Sequence, residues 1–415
     1  MAPLDHDLHE AADPRTTPGR LLELASHPVV AVRQRVASNP STPLDALLSL
    51  LEAWPVEVSG NAAMLLHRMS DPALLMRASA AQRRAWAGGW LLPGWVAEQL
   101  VLFDESTHDA VAENLDCPAV WLEHLARVGD GLVRATVANN LNCPVELLTR
   151  LSFDAESNVR AAVAHHLDCP HEVLSRLTAD AATSVREGLA DNRHAPAELL
   201  MRLAQDGSAD VRRSLAHNPG SPPALLTRLA QDEHLIRAAV ASNPSCPPEL
   251  LERLVLDRNG LVRRTVARRP DCPRAVLTLL VDDLNADVRR GVAGHPHCPL
   301  ALLPRLAADD KEAVREAVAS NPSCPLELLE RLASDAVVAV RVAVARHPGC
   351  SPALLHRVAR DVRRDVIDAL RENPGWPPVL LTRRALDSAL FVRRSARTWP
   401  GYPGPLLARV IRLPT

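Results

Sequence analysis

Eight cysteines, Cys117, Cys143, Cys169, Cys246, Cys272, Cys298, Cys324 and Cys350, have the widest chemical reach of any residues in this 415-residue chain. As thiolates they could hold a metal, exchange electrons or pair as disulfides. Their spacing points elsewhere. Wherever neighbours in the series are consecutive they lie 26 residues apart, and no Cys-x-x-Cys occurs. The same position is filled elsewhere by Thr42, Ala195, Ser221, Trp376 and Tyr402, which substitute for bulk, with Thr and Ser also able to cap the helix that follows. Equivalent positions in stacked helices sit about 8 to 10 Å apart, beyond the Cα separation of about 7 Å that a disulfide tolerates. Free thiols are therefore predicted, which suits a reducing compartment. His295, His297 and Cys298 form one local group of ligand types, in a loop that is expected to be solvated.

Acid–base chemistry is the second possibility. Aspartate and arginine recur six residues apart in Asp154/Arg160, Asp180/Arg186, Asp206/Arg212, Asp257/Arg263, Asp283/Arg289, Asp309/Arg315, Asp335/Arg341 and Asp387/Arg393. A chemistry copied so often has no single active site. The expected role is a ladder, with each Asp near a helix start and each Arg tying loops of adjoining repeats together. Other signatures are missing. Lys311 follows Asp310 rather than the glycine of a phosphate-binding loop, and there is no Gly-x-Ser-x-Gly, His-Glu-x-x-His or Gly-x-Gly-x-x-Gly. His171-Glu172 begins a zinc motif, but Ser175 stands where its second histidine belongs. No catalytic, cofactor-binding or metal residue is assigned, and the chain is expected not to be an enzyme.

What positions all these residues is a period. The arginine of a Val-Arg pair falls at Arg134, Arg160, Arg186, Arg212, Arg237, Arg263, Arg289, Arg315 and Arg341, in steps of 26 except for 25 between Arg212 and Arg237. Ile367 and Arg393 continue the frame downstream, and Arg33, Ser59, Arg83 and His108 continue it upstream, giving about fifteen units. One unit reads V-R-x-x-V-A-x-N-P-x-C-P-x-E-L-L-x-R-L-A-x-D. Such periods mark a solenoid, in which each unit buries its apolar face only by stacking on its neighbours. Pro325 as a first helical residue, followed by Leu328, Leu329, Leu332 and Ala333, predicts a short helix to about Asp335. Val340, Val344 and Ala345 predict a second, stopped by Pro348. The residue two after each Arg is always small, Gly188 and Gly291 among them, so a neighbouring repeat is expected to pack closely there.

Composition sets limits. With 47% hydrophobic but only 3% aromatic residues the interior must be Leu, Val and Ala, and a net charge of -2 is too small for a protein that coats a polyanion. No apolar run of 18 residues suggests a membrane span, and the acidic start "MAPLDHDLHEAADPRTTP" is unlike a basic signal peptide, so a cytoplasmic monomer is expected. Residues 1–16 lack an apolar period and are expected to be disordered. One continuous solenoid is expected over 17–415, with cap repeats at 17–53, degenerate Trp-rich repeats at 54–114, regular repeats at 115–402 and a C-terminal cap helix at 403–415.

The unit, with "NPxCPxELLxRLAxD" followed by "VRxxVA", resembles the leucine-rich repeat variant family, related in spirit to HEAT and armadillo solenoids. The resemblance implies an all-α, right-handed superhelix of two-helix repeats, a short α or 3₁₀ helix alternating with an α-helix, and no β-sheet. A described family member also carries an N-terminal iron–sulfur cluster on clustered cysteines. Here the first cysteine, Cys117, already lies inside a repeat, so no cofactor is expected.

Recognition should fall where repeats differ. Two variable positions four apart on the Val-Arg helix stack into a stripe, whose charged members are Glu187, Asp191, Arg213, His217, Arg264, Arg268, Arg290, Glu316, Arg346, Asp368 and Glu372. The leading reading is a non-catalytic scaffold gripping a protein or peptide on this stripe. The alternative is a nucleic-acid-binding solenoid using its basic middle, and an unrecognised enzymatic site is a third reading. Five of the seven tryptophans, Trp54, Trp86, Trp90, Trp95 and Trp121, fall in the irregular segment, where Trp86, Trp90 and Trp95 form a secondary candidate surface. The competing account is that they refill degenerate repeats with bulk.

Overall fold

The computed structural model describes residues 3–375 except Pro72, Trp90 and Val362. The positions named above at Trp376, Asp387, Arg393 and Tyr402, with the expected cap helix over 403–415, lie outside the described residues. The described residues form 29 α-helices and three 3₁₀ helices, with no strand among them. They divide into two compact units, Met1–Leu225 and Leu226–Thr415, each described here by itself.

In both units the regular repeat is a nine- or eight-residue helix, a turn, and a seven-residue helix. Glu312–Ser320 and Leu326–Leu332 are one such pair. The longer helix is stopped because Asn321, which precedes Pro322, must be extended, and it is, at ψ 122°. The shorter helix begins after Pro325, which is itself extended at ψ 146° and caps the helix instead of forming its first residue. It closes at Leu332, shorter than the run to Asp335 expected from the sequence, because the Asp335 amide turns back to the Leu332 carbonyl at 3.0 Å. In the unit at Leu300–Leu306 the short helix starts as a 3₁₀ turn, because Pro304 has no N–H to continue the α-helical ladder.

Helices this short do not hold alone. Val314, Val318 and Ala319 of one helix and Leu329 and Leu332 of the next are buried, with Cys324 in the turn between them. The same set recurs in every regular repeat, and each Val-Arg helix within a unit stacks on its counterpart one repeat away. The small position lies at that contact. A Cβ on Gly188 would meet the Ala161 carbonyl oxygen at 2.6 Å, and one on Gly291 would meet Ala267 Cβ at 3.1 Å and Arg268 Cγ at 3.2 Å.

A second tie is polar and buried. The Asn321 amide donates to the carbonyls of Ala293 at 2.6 Å and His295 at 3.0 Å, both in the preceding repeat. Its own Oδ1 accepts the Ser323 amide at 2.9 Å. Asn373 in the second unit does the same, and Asn39, Asn61, Asn114, Asn140, Asn192 and Asn218 do so in the first. His166, His295 and His347 replace it with one ring nitrogen on the preceding turn's carbonyl and the other on the amide two residues ahead. Arg269 also replaces it, reaching the Ala241 and Asn243 carbonyls, while Asp271 neutralises its charge at 2.8 Å.

The third tie is ionic. Arg315 Nε and Nη2 grip Asp335 at 2.7 and 3.0 Å, while its Nη1 donates to the Asp309 carbonyl at 2.8 Å. The carboxylate partner is thus the Asp 20 residues ahead. The Asp six residues behind contributes its backbone oxygen, which corrects the six-residue side-chain pairing suggested by the sequence. Arg134, Arg160 and Arg186 repeat the 20-residue pairing in the first unit, and Arg237, Arg263, Arg289 and Arg341 in the second. Hydrogen bonds from their arginines hold the carboxyls of Asp154, Asp180, Asp206 and Asp335 below the usual range.

The start of the chain also needs correction. Pro3–Ala12 is a helix, packed on Val30–Ser38 with Ala11 buried. Ion pairs take the place of an apolar stripe, since Arg20 grips Asp7 at 2.7 Å and Glu10 at 2.9 Å. The Asn39 amide then catches the Ala11 and Asp13 carbonyls.

Three outcomes are expected. Asn321→Asp, which cannot donate, should cost about 2 to 4 kcal/mol in urea unfolding followed by circular dichroism, and Asn321→His clearly less. Gly291→Leu should cost about 1 to 3 kcal/mol by overpacking in the same assay. Asp335→Ala strands Arg315 and the Val337 amide and should cost about 2 to 4 kcal/mol. Because the ladder carboxyls titrate lower folded than unfolded, their contribution is complete above the ordinary value of about 4 and is lost as pH falls through the folded one. The calorimetric midpoint should therefore hold down to about pH 5, then drop, less steeply in Asp335→Ala than in the parent.

Candidate functional site

The residues with reactive chemistry are committed to the scaffold. All eight cysteines are free and buried. Burial pushes the thiols of Cys117, Cys143 and Cys169 up to about 12, and those of Cys246, Cys272, Cys298, Cys324 and Cys350 up to about 11, so they remain protonated and unreactive. Thr42 and Ser221 occupy the same pocket, and their hydroxyls donate back to the Val36 and Leu215 carbonyls at 2.6 Å instead of capping the following helix. Both ring nitrogens of His295 are taken by backbone groups, and among the described residues no three His, Cys, Asp or Glu side chains converge as metal ligands. His171 meets Glu198 at 2.6 Å in an exposed pair.

Of the tryptophan candidates, Trp90 lies outside the described residues, and Trp86 and Trp95 are buried at 4% and 8% exposure. Trp95 Nε1 donates to Ser59 Oγ at 3.0 Å, and the Arg68 guanidinium lies 4.5 Å from the ring centroid. These two rings fill space under irregular helices. Beside them a hollow of about 510 Å³ is lined by Leu65, Arg68, Met69 and Phe103, of which Met69 is 83% exposed.

The stripe residues stand on the Val-Arg helices as expected. In the first unit Glu187 and Asp191 lie on Thr183–Asp191, and Arg213 and His217 on the adjacent Ala209–His217. Asp191, Arg213 and His217 are exposed, Glu187 is half-buried, and Arg213 pairs with Asp210 at 2.7 Å. The other seven belong to the second unit, on helices Gly260–Ala267, Ala286–Ala293, Glu312–Ser320, Val338–Arg346 and Arg364–Glu372, with Arg268 capping the first of them.

In the second unit the stripe is concave. One hollow of about 450 Å³ is lined by Arg264, Arg268, Arg290, Glu316 and Ser320, with Asp287, Gly291, Gly294, Pro270 and Pro296. A second of about 480 Å³ is lined by Glu316, Ser320, Val338, Val342, Ala343, Arg346, Pro348 and Asp365. Glu316 and Ser320 belong to both, so the two hollows join. Charges differ along this groove. Arg346 is neutralised by Glu372 at 2.9 Å, and Arg264 has only a distant partner in Asp287, at 3.9 Å. Arg268 and Arg290 are exposed, with no side-chain hydrogen bond or ion pair among the described residues. Asp368 instead pairs with Arg371 at 2.8 Å.

Sequence reasoning missed the groove's walls. Asp287 sits three residues before Arg290, one turn away on the same helix face. Pro270, Pro296 and Pro348 each follow a stripe position by two residues, a fixed offset that was legible as a rim.

Known proteins resemble the chain in its repeats. A family model described as the leucine-rich repeat variant domain matches residues 212–270, and one described as leucine rich repeat variant matches 260–284, 286–311 and 312–337. No curated protein matches. A solved structure titled as a leucine-rich repeat variant with a novel repetitive structural motif is similar at 29% identity and a TM-score of 0.41, covering 52% of this chain and 86% of its own. An engineered protein aligns at 16% identity and a TM-score of 0.15, over 99% of this chain and 95% of its own. The matched segments follow one another in the frame of the Val-Arg period and coincide with the helix pairs described above, and the chain belongs to the leucine-rich repeat variant family.

Proposed function

We propose that this helical-repeat protein is a non-catalytic interaction scaffold that holds an extended segment of a partner protein in the groove of the second unit. The observation that carries the reading is the joining of two hollows through Glu316 and Ser320, across successive Val-Arg helices, at positions that vary from repeat to repeat. A stacked array with an unvarying core and a varied concave face suits the capture of an extended chain. The commitment of thiols, ladder carboxylates and buried histidines to packing or backbone supports a binding role over a catalytic one. The unbridged thiols support a reducing, cytoplasmic setting.

Gly294 provides the test. A Cβ there makes only ordinary contacts, 3.5 Å from the Arg290 carbonyl and 3.8 Å from Ala317 Cβ, and the residue lines the groove. Gly294→Trp should therefore fill the groove and leave the stack intact. Random peptides displayed on phage and selected on the parent chain should lose binding to Gly294→Trp by about tenfold or more in biolayer interferometry. Selected peptides that bind both proteins equally would place recognition elsewhere.

A further inference from the structure

The charges in the groove define what it takes, and this inference rests on the groove reading above. We infer that the occupant is an extended protein segment that is acidic where it crosses Arg268 and Arg290 and apolar where it enters the hollow over Val338 and Val342. Arg268 and Arg290 are exposed and have no side-chain partner among the described residues, in a fold whose other repeating arginines are clamped by carboxylates. Each therefore offers a free guanidinium fork, the group best matched to a carboxylate. Arg264 adds to the same field, since Asp287 stands 3.9 Å from it.

The adjoining hollow has the opposite character. Its floor is Val338, Val342 and Ala343, its cation Arg346 is neutralised by Glu372, and Asp365 stands at its edge. An acidic side chain gains nothing there, whereas an aliphatic one loses water-exposed area against the valines. Glu316 lies where the two hollows meet and has no side-chain partner among the described residues. A nucleic acid would bring a phosphate to every residue position along the groove and so face Glu316 and Asp365 as well as the arginines. A peptide can be acidic at one end only. Spacing supports the same conclusion: helices stack about 8 to 10 Å apart, and three residues of polyproline II conformation advance about 9 Å, so acids three apart would meet successive repeats.

The experiment uses the full chain and short fluorescein-labelled peptides in fluorescence anisotropy at low and physiological salt. The probe carries glutamates three residues apart followed by leucines, one control replaces each Glu by Gln, and another replaces each Leu by Ser. A single-stranded oligothymidylate of similar length is the fourth ligand. The Glu–Leu peptide should bind about tenfold or more tightly than either control, and should weaken as salt rises. Arg268→Ala with Arg290→Ala should erase the preference for Glu over Gln while leaving the preference for Leu over Ser. Arg268→Glu with Arg290→Glu should transfer the preference to a Lys–Leu peptide, and both pairs lie on exposed surface where folding is checked by circular dichroism. Equal binding of Glu and Gln peptides, or failure of the Glu–Leu peptide to bind, overturns the inference. The groove itself survives either result if phage-selected peptides still depend on Gly294. Tighter binding of the oligothymidylate, lost in Arg268→Ala with Arg290→Ala, overturns it in favour of a nucleic acid.

Discussion

A buried side-chain amide reaching back to the turn before it is the interaction on which the rest of this structure depends. The turn between the two helices of a repeat leaves carbonyl groups at the end of the longer helix with no partner of their own, and they are covered by the next repeat. Left unpaired they would cost about 1 to 3 kcal/mol each. Asn321 satisfies two of them and holds its own turn through Oδ1, so one residue fixes both the bend of its repeat and its seat on the previous one. The alternatives at this position, His166, His295, His347 and Arg269, are all side chains that can donate in the same direction. Where Arg is used, its charge is balanced at once by Asp271.

Around this tie the other contacts fall into place. Valines and leucines supply the bulk of the stabilisation, and the cysteine site tolerates any small group that fills the corner of the turn. The Arg–Asp bridges run along the loops at the other end of the helices, with both partners largely withdrawn from water: Arg315 and Asp335 retain 17% and 9% side-chain exposure. Such bridges resist salt better than exposed pairs do. The interior and both edges of each repeat are thereby specified, and the outward face of the longer helix is left free to differ. In the second unit that face becomes a groove with unmatched positive charge at Arg268 and Arg290 and an aliphatic floor at Val338 and Val342.

Much of this was legible in the sequence, because a period of 26 written along the chain fixes which residues are equivalent before any coordinate is known. The helix pairs, the buried cysteine position and the tight packing at Gly188 and Gly291 all follow from equivalence. Three features did not. Asn before Pro reads as a turn signal, and only the neighbouring turn, 26 residues away, shows that its amide is spent on another repeat. Each Arg has an Asp six behind and another twenty ahead, and spacing alone cannot say which supplies a carboxylate and which a carbonyl. Pro3–Ala12 lacks an apolar stripe because its attachment is ionic, through Arg20 to Asp7 and Glu10. In the candidate site, the sequence located the variable positions but not their pairing. Arg346 and Arg268 look alike in a string, yet one is spent on Glu372 and the other is not.

Every rung formed by Asn or His ends on a main-chain oxygen. Such an acceptor is furnished by any preceding module whatever its side chains, so a donor never requires a matched mutation across the seam. Modules can therefore be duplicated, excised or exchanged within a lineage without breaking the seam, and a gene encoding such an array can rewrite its outward lettering one segment at a time.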